Sequence, residues 1–291
     1  MTSRANGLYD AHIAVDWSAN GTPKRGKDSI WISEDGARGL NPSTRAEAMD
    51  WIADRIRRAR RSGERLHIGF DFAFGLSRGA GEALLGEPGW RAYWRYLAAH
   101  VEDGQRNRSN RFEVGAMLNA GAAADGPFWG HPHQHSYAGL RPRRCVTGGA
   151  DWPHPFPARR HCDARQAGAQ EIWKLAYTGS VGSQMLLGVA ALERLRAEVG
   201  DLAIWPFETG FADDLSADVL ITEIYPSARR WAHLALLDRA SVVDEAQVMA
   251  VSGACARADR AGRFRDWLEP RDASPSERAD AVVEEGWILG L

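Results

Sequence analysis

The chain contains the stretch HIAVDWS at residues 12–18, an apolar run of strand type that ends in the carboxylate of Asp16. The same arrangement returns in LHIGFDFAFG at residues 66–75, where the acid is Asp71, and in VLITEIYP, where it is Glu223. Short apolar runs of this length are typical of buried strands. If the three strands lie side by side, their acids meet at one edge of a sheet. We therefore predict a fold in which these three strands are neighbours in one sheet.

The order of the remaining patterns predicts an α/β chain. Strands are predicted at 11–17, 29–34, 65–72, 201–207 and 218–225, and helices at 44–62, 78–101, 182–199, from 226 onward and at 244–260. Thr44 and Glu47 have the spacing of a capping box, and Gly63 marks the end of the first helix. The region after residue 103 is rich in Gly, Pro, His and Arg. We therefore predict one domain over 1–291 with a large irregular insertion at about 103–180.

The composition favours a cytoplasmic protein without a membrane partner. The 36 basic and 38 acidic residues give a net charge of −2, which provides no general attraction to nucleic acid or to an anionic membrane. No apolar run approaches the roughly 18 residues of a membrane span. The cysteines, Cys145, Cys162 and Cys255, are few and odd in number, as in proteins of a reducing compartment. The oligomeric state is left open.

The acids at the strand ends predict a metal site. Asp16, Asp71 and Glu223 are joined in this prediction by Asp244, which lies at the start of a late helix, and Glu208 is a reserve candidate. Clustered carboxylates repel one another, and hard oxygen ligands suit Mg²⁺ or Mn²⁺. We therefore assign the four acids as both catalytic residues and metal ligands. The alternatives are a helix cap for Asp244 and turn hydrogen bonds for the strand-end aspartates.

The chain resembles ribonuclease-H-like proteins, and more narrowly an uncharacterised bacterial family of ribonuclease-H-like domains of unknown function. The matching segments are AVDWSA (14–19), GFDFAFG (69–75), NRF (110–112), PFWG (127–130), GSVGSQ (179–184), WPFETG (205–210), EIYPS (223–227), DEAQV (244–248) and EGWILG (285–290). Similar members are sometimes labelled as linked to molybdopterin guanine dinucleotide synthesis. The resemblance implies a mixed sheet flanked by helices and extends over nearly the whole chain.

One departure concerns the late helix. Nucleases of this fold often carry two acids there that face one metal, whereas Asp244 and Glu245 are adjacent in this chain. Adjacent helical residues point about 100° apart. The pair is therefore not expected to bind a single ion, and whether one or two metals bind stays open.

A second group of candidate metal ligands lies in the insertion. It comprises His131, His133, His135, Cys145, His154, His161 and Cys162. Imidazole and thiolate bind zinc, but the segment has no Cys-x-x-Cys pair. We favour a surface or substrate-facing loop over a zinc site.

Candidate phosphate-binding residues accompany the acids. Ser18 follows Asp16 in a Gly-rich turn, and Ser183 lies in GSVGSQ, where backbone N–H groups at a helix start can bind an anion. Lys174 and Arg111 are candidate cations for the same pocket, although both can equally be surface charges.

Three functions remain open from the sequence. The first is a metal-dependent hydrolase of phosphodiesters or nucleotides, with a nucleotide or nucleic acid as substrate. The second is an ATP-binding phosphotransferase of actin-like type, for which a chain of 291 residues is short. The third is a binding protein that has the fold without the activity.

Overall fold

The structure, a computed structural model, describes residues 7–122, 125–144 and 152–291. These residues form a mixed α/β fold around a five-stranded sheet. Its strands are β1 (Ala11–Asp16), β2 (Trp31–Glu34), β3 (Leu66–Phe70), β4 (Ala203–Ile204) and β5 (Val219–Glu223). They lie in the order β2-β1-β3-β5-β4, with β2 antiparallel to β1 and the other neighbours parallel. The three acid-bearing strands are therefore adjacent and parallel.

The helices flank this sheet. They are α1 (Arg45–Ser62), α2 (Ala80–Leu85), α3 (Trp90–His100), α4 (Arg111–Ala120), α5 (His161–Arg165), α6 (Val181–Val199), α7 (Val243–Arg260), α8 (Phe264–Trp267) and α9 (Pro275–Asp280). The α1 cap is partly as predicted: the Thr44 side chain accepts a hydrogen bond from the Glu47 N–H and Gly63 adopts a left-handed conformation, but the Glu47 carboxylate accepts from the Ser43 N–H rather than completing the box with Thr44.

The core lies on both faces of the sheet. Ile13 and Val15 of β1 belong to the apolar cluster that includes buried residues of α1, α3 and α6. Ala14, which points the opposite way, belongs to the cluster that includes buried residues of α7. Because both faces are covered, the central strands have nearly continuous apolar sequences.

Three predicted elements differ in the structure. The helix predicted at 78–101 is divided into α2 and α3, since Gly86 and Gly89 between them have φ of 70° and 90°. The strand predicted at 201–207 is reduced to β4. The helix predicted from 226 is replaced by short 3-10 turns at Arg229–Trp231 and His233–Arg239, separated by Ala232 with φ of 54°.

The predicted insertion packs onto the main core. Its described residues include α4 and α5, and Phe128, Ile172 and Trp173 are buried in the same apolar cluster as β1. None of the helices in the described stretches is long and apolar enough to cross a membrane.

Candidate functional site

The register of the sheet decides which of the predicted acids meet. Val15 pairs with Phe70, and Phe70 pairs with Glu223. Asp16 and Asp71 each follow by one residue, and the Asp71 N–H donates to the Val15 carbonyl at 2.9 Å. Side chains alternate between the faces of a sheet, so an offset of one residue changes the face. Asp16 and Asp71 therefore lie together, while Glu223 shares the face of Val15 and Phe70.

Asp16 and Asp71 form a carboxyl pair within hydrogen-bonding reach of each other. Both residues are partly exposed to solvent in a densely packed rim. Burial raises the pKa of Asp16 well above its usual range, and the charges of Asp71 and Asp244 raise it further. Burial also raises the pKa of Asp71 to about 7, with the charges of Glu223 and Asp244 adding to the effect and the hydrogen bond with Asp16 opposing it. Near neutral pH, the pair therefore either retains a proton or needs a cation.

Asp244 is the third acid near this pair. It belongs to the first turn of α7, and its Oδ2 accepts a hydrogen bond of 2.6 Å from the Asp28 N–H. Burial is the main cause of its raised pKa. The helix-cap alternative does not describe it, because the N-cap residue of α7 is Val242 and no side chain caps the helix. Asp244 instead ties the loop after β1 to α7 beside the carboxyl pair.

Glu245 points away from this group. Its carboxylate accepts hydrogen bonds from the Gly39 N–H at 3.0 Å and the Ser241 N–H at 2.6 Å. The side chain is almost fully buried. The structure thus shows the divergence of adjacent helical residues that the sequence indicated.

The structure does not bring Glu223 into the acid group. Arg160 donates to both carboxylate oxygens of Glu223, at 2.7 and 2.6 Å, and to both of Asp163, at 2.9 and 2.8 Å. Its fifth N–H donates to the Glu285 carbonyl at 2.9 Å, so every guanidinium N–H has an acceptor. Glu223 also accepts from the Phe74 N–H at 3.0 Å. The structure therefore does not place Glu223 with Asp16 and Asp71, and its charge is balanced by a buried arginine.

Two further carboxylates support the backbone next to Arg160. Glu284 accepts from the N–H groups of Gly79 and Gly81 at 2.7 and 2.6 Å. Glu285 accepts from the N–H groups of Arg78 and His161 at 2.9 and 2.7 Å. These contacts attach the C-terminal segment to the loop that follows β3.

A groove of about 590 Å³ opens beside the loop that follows β1, and its lining does not include Asp16 or Asp71. Its polar lining includes Ser18, Asn20, Asp28, Arg111 and Gln184, and its apolar lining includes Phe112, Leu175 and Tyr177. The Gln184 amide donates to the Trp17 carbonyl at 2.6 Å, which places this wall one residue from Asp16. The groove therefore adjoins the acid site.

The four predicted phosphate-binding residues are divided by the structure. Ser18 and Arg111 line the groove. The buried Ser183 hydroxyl donates to the Leu175 carbonyl at 2.6 Å, and the Lys174 ammonium donates to the Thr178 carbonyl at 2.6 Å. Ser183 and Lys174 thus have internal partners, and neither is among the residues that line this groove.

The histidines of the predicted zinc loop do not form a ligand cluster within the described residues. His131 and His135 lie beside Tyr137, and His133 lies beside Tyr177. The remaining described members of the group contact other residues: His154 packs against Trp152 and Phe156, His161 pairs with Asp280, and Cys162 is buried. Cys145 lies outside the described residues. Within 125–144 and 152–162, none of the histidines belongs to a group of converging ligand atoms.

Potential metal ligands converge elsewhere in the described chain in two groups, each with three ligand atoms within 4.8 Å of one another: Cys162, Asp163 and Glu223 in the first, and His12, His67 and Cys255 in the second. The first is bound to Arg160. In the second, the two imidazole Nδ1 atoms lie 3.1 Å apart, His12 Nε2 is 3.0 Å from Asp259, and His67 Nε2 is 2.8 Å from Thr222. Both groups are hydrogen-bonded internally, and both are buried.

Several residues of the site are not evident from the sequence. Arg160 carries one local signal, an acid three residues later at Asp163, but its main partner is 63 positions away. The sequence did not identify Asn20 and Gln184 as site residues, since isolated amides are common on protein surfaces. Their role depends on contacts with backbone carbonyls that only the folded chain supplies.

Comparisons with protein-family models, with curated proteins and with solved structures give no match for this chain. The fold and the site define its class instead: a mixed α/β protein with a carboxyl pair where its parallel strands end, beside a polar groove.

Proposed function

We propose that the protein is a metal-dependent hydrolase of phosphate esters, with Asp16 and Asp71 binding Mg²⁺ or Mn²⁺. The observation that carries this proposal is the pair itself, two carboxyl groups brought together by neighbouring parallel strands. Burial and mutual proximity raise the pKa of both groups. A divalent cation removes the repulsion that otherwise requires a proton.

The residues present fit such an ion. Mg²⁺ in proteins commonly uses one or two carboxylates and keeps several waters. Asp16 and Asp71 supply two carboxylates that are partly exposed to solvent. Asp244 is near enough to influence the pKa of both. The three together do not form a group within 4.8 Å, so Asp244 serves as a flanking acid rather than a third close ligand in this arrangement.

The topology supports a ribonuclease-H-like fold as part of the proposal. An antiparallel β1–β2 pair is followed by an antiparallel bridge between Ile32 and Leu40, then by α1 and by β3 parallel to β1. This is the order of elements that the sequence resemblance implies. The first acid then ends the first strand, as that resemblance also implies.

The chain's own residues prepare the site. Asp16 and Asp71 would hold the cation, which would supply an activated water and stabilise charge on the leaving oxygen. Asn20 closes the loop after β1 by donating to the Asp28 carbonyl at 2.6 Å, and the Asp28 N–H fixes Asp244. In the metal-free protein the pKa of Asp71 is about 7, so the pair must lose its proton before it can bind a cation. The groove would hold a substrate against the loop that directly follows Asp16.

Metal binding should become tighter as the pH rises from 6 to 8. The pair must lose its proton before it binds a cation, so affinity should change by up to about tenfold per pH unit below the relevant pKa. Calorimetric titration of the metal-free protein with Mn²⁺ measures this, together with the protons released. At an ion concentration about 100 times the dissociation constant, the protein should gain about 2.7 kcal/mol of stability.

The hydrolase proposal also requires turnover. A phosphodiester such as bis(4-nitrophenyl) phosphate and a short single-stranded RNA should be cleaved with Mn²⁺ and not with EDTA. If stabilisation requires ATP in addition to the metal, the phosphotransferase is the better assignment. If neither ion binds between pH 6 and 8, the metal-dependent proposal is wrong.

A further inference from the structure

We propose that the groove beside the carboxyl pair binds a nucleoside monophosphate unit, free or at a strand end, with its phosphate on Arg111. This inference rests on the proposed function, because it names the substrate of that site. It follows from the position of the groove, the contacts of Arg111 and the aromatic wall beside it. It requires no residue outside the described part of the chain.

The groove is built from the loops next to the acids. Ser18 and Asn20 come directly after β1, and Asp28, also in its lining, donates through its N–H to Asp244. The opposite wall includes Ser180 and Gln184 at the start of α6. A ligand in the groove therefore lies within a few residues of Asp16, between the loop and α6. Its volume of about 590 Å³ is within the range of sites that bind one small molecule.

Arg111 is a largely enclosed cation without a carboxylate partner. Among the described residues, its guanidinium forms no ion pair within 4.0 Å, although the charges of Asp103 and Glu113 are near enough to oppose the lowering of its pKa. Its Nε is shielded from solvent and has no hydrogen-bond acceptor, while Nη1 donates to the Ser109 hydroxyl at 3.0 Å. Burial, followed by the charge of Arg45, lowers its pKa. A desolvated guanidinium with an unused N–H favours an anion that can accept from it.

Arg45, a second enclosed arginine, has the carboxylate partner that Arg111 lacks. Its guanidinium forms two hydrogen bonds of 2.6 Å with Asp103 and donates to three backbone carbonyls. Two enclosed arginines thus lie near each other, and only Arg45 has an acid. Lys24, also in the groove lining, adds a positive charge whose nearest carboxylate is the exposed Asp28 at 3.7 Å. The cations that line the groove therefore favour an anionic ligand.

The aromatic wall favours a planar base next to the phosphate. The guanidinium of Arg111 lies 4.5 Å from the centre of the Phe112 ring. Because one face of the guanidinium is covered by this ring, a ligand would contact the N–H groups at the guanidinium edge. Tyr177 is 54% exposed and has a φ of 67°, a conformation uncommon for a large side chain. Aromatic side chains bind nucleobases by stacking, largely without regard to sequence. A mononucleotide combines the anion and the planar group that this groove can accept.

The test is calorimetric binding of adenosine 5′-monophosphate and of inorganic phosphate, both in EDTA so that the result does not depend on the metal. Adenosine monophosphate should bind more tightly than phosphate. Arg111→Met should weaken both by about 10- to 100-fold, as expected for loss of charge-assisted hydrogen bonds. Tyr177→Ala should weaken adenosine monophosphate and leave phosphate unchanged.

Arg108→Met is the matched control, since Arg108 is exposed and three positions away. It should leave both affinities within about twofold, and urea denaturation should show that Arg111→Met is folded. Equal losses in the two variants, or no binding of either ligand by the unaltered protein, would overturn the assignment. These titrations contain no metal. If the nucleotide binds but the separate Mn²⁺ titration shows no metal binding, the proposed function is contradicted and the nucleotide-binding proposal is retained.

Discussion

Replacing Arg160 with Met should lower the free energy of unfolding by about 3 to 5 kcal/mol, the range for removing one member of a buried ion pair. Arg160 is almost fully buried and is hydrogen-bonded to the carboxylates of Asp163 and Glu223. Without it, both acids are left in the interior without a counter-charge. Urea denaturation at pH 7.5 measures the loss.

Arg165→Met is the control for this effect. Arg165 also forms a two-oxygen pair, with Glu277, but that pair is on the surface. Surface ion pairs contribute about 0 to 1 kcal/mol, so this variant should lose far less. The double variant Arg160→Met with Glu223→Gln should recover part of the stability that Arg160→Met loses, because one of the two unpaired charges is removed. A loss for Arg160→Met no larger than for Arg165→Met would contradict the assignment of Arg160 as the charge that balances Glu223.

Replacing Asp16 with Asn should reduce metal-dependent hydrolysis by at least about 100-fold, because it removes one of the two carboxylates that would hold the cation. The same change should raise the stability of the metal-free protein at pH 8, because burial and the charge of Asp71 raise the pKa of Asp16 and make its ionised form unfavourable in the folded state. Loss of activity combined with a gain in stability is the expected result for an acid held in an unfavourable site for its function.

The sign of the pH dependence follows from the direction of the shifts. Folding raises the pKa of Asp16 and Asp71, so ionisation destabilises the folded state. That cost is present above the folded pKa values and disappears as the pH falls toward the unfolded values near 4. The stability gain in Asp16→Asn should therefore be largest at pH 8 and should vanish near pH 4.

Asp50→Asn provides the comparison, because Asp50 is an exposed acid on α1 away from the pair. It should change neither hydrolysis nor the pH dependence of unfolding. Destabilisation of the Asp16 variant at pH 8 in EDTA would show that Asp16 is a structural residue and would count against the metal site.

Much of the sheet was predictable because its signals are local. The apolar runs that contain Ile13 and Ile68 are flanked by polar or glycine residues, and the Thr44 cap with Gly63 marks both ends of α1. The replacement of the predicted helix after Pro226 by short turns was not predictable in this way. Trp231 is buried there, and its ring nitrogen donates to the Tyr225 carbonyl, a contact specific to the folded structure.

The candidate site was predictable in part. The sequence indicated that Asp16 and Asp71 would meet, and they do, because each directly extends one of two paired parallel strands. Glu223 looked equivalent, but its position relative to Phe70 differs by one residue from that of Asp71. Successive side chains of a strand point to opposite faces of the sheet. The offset of one residue therefore places the Glu223 side chain on the face where it contacts Arg160.

The sequence by itself determined the strands, the first helix and the presence of acids at strand ends, since these depend on side-chain periodicity and on capping by near neighbours. The tertiary structure decided which acids share a site, which arginine has a carboxylate and which lacks one. These outcomes depend on strand register and on contacts between residues up to more than two hundred positions apart, such as Asp28 with Asp244. Local sequence patterns do not predict contacts between such distant residues. Burial by distant segments of the chain also shifts the pKa of these charged groups.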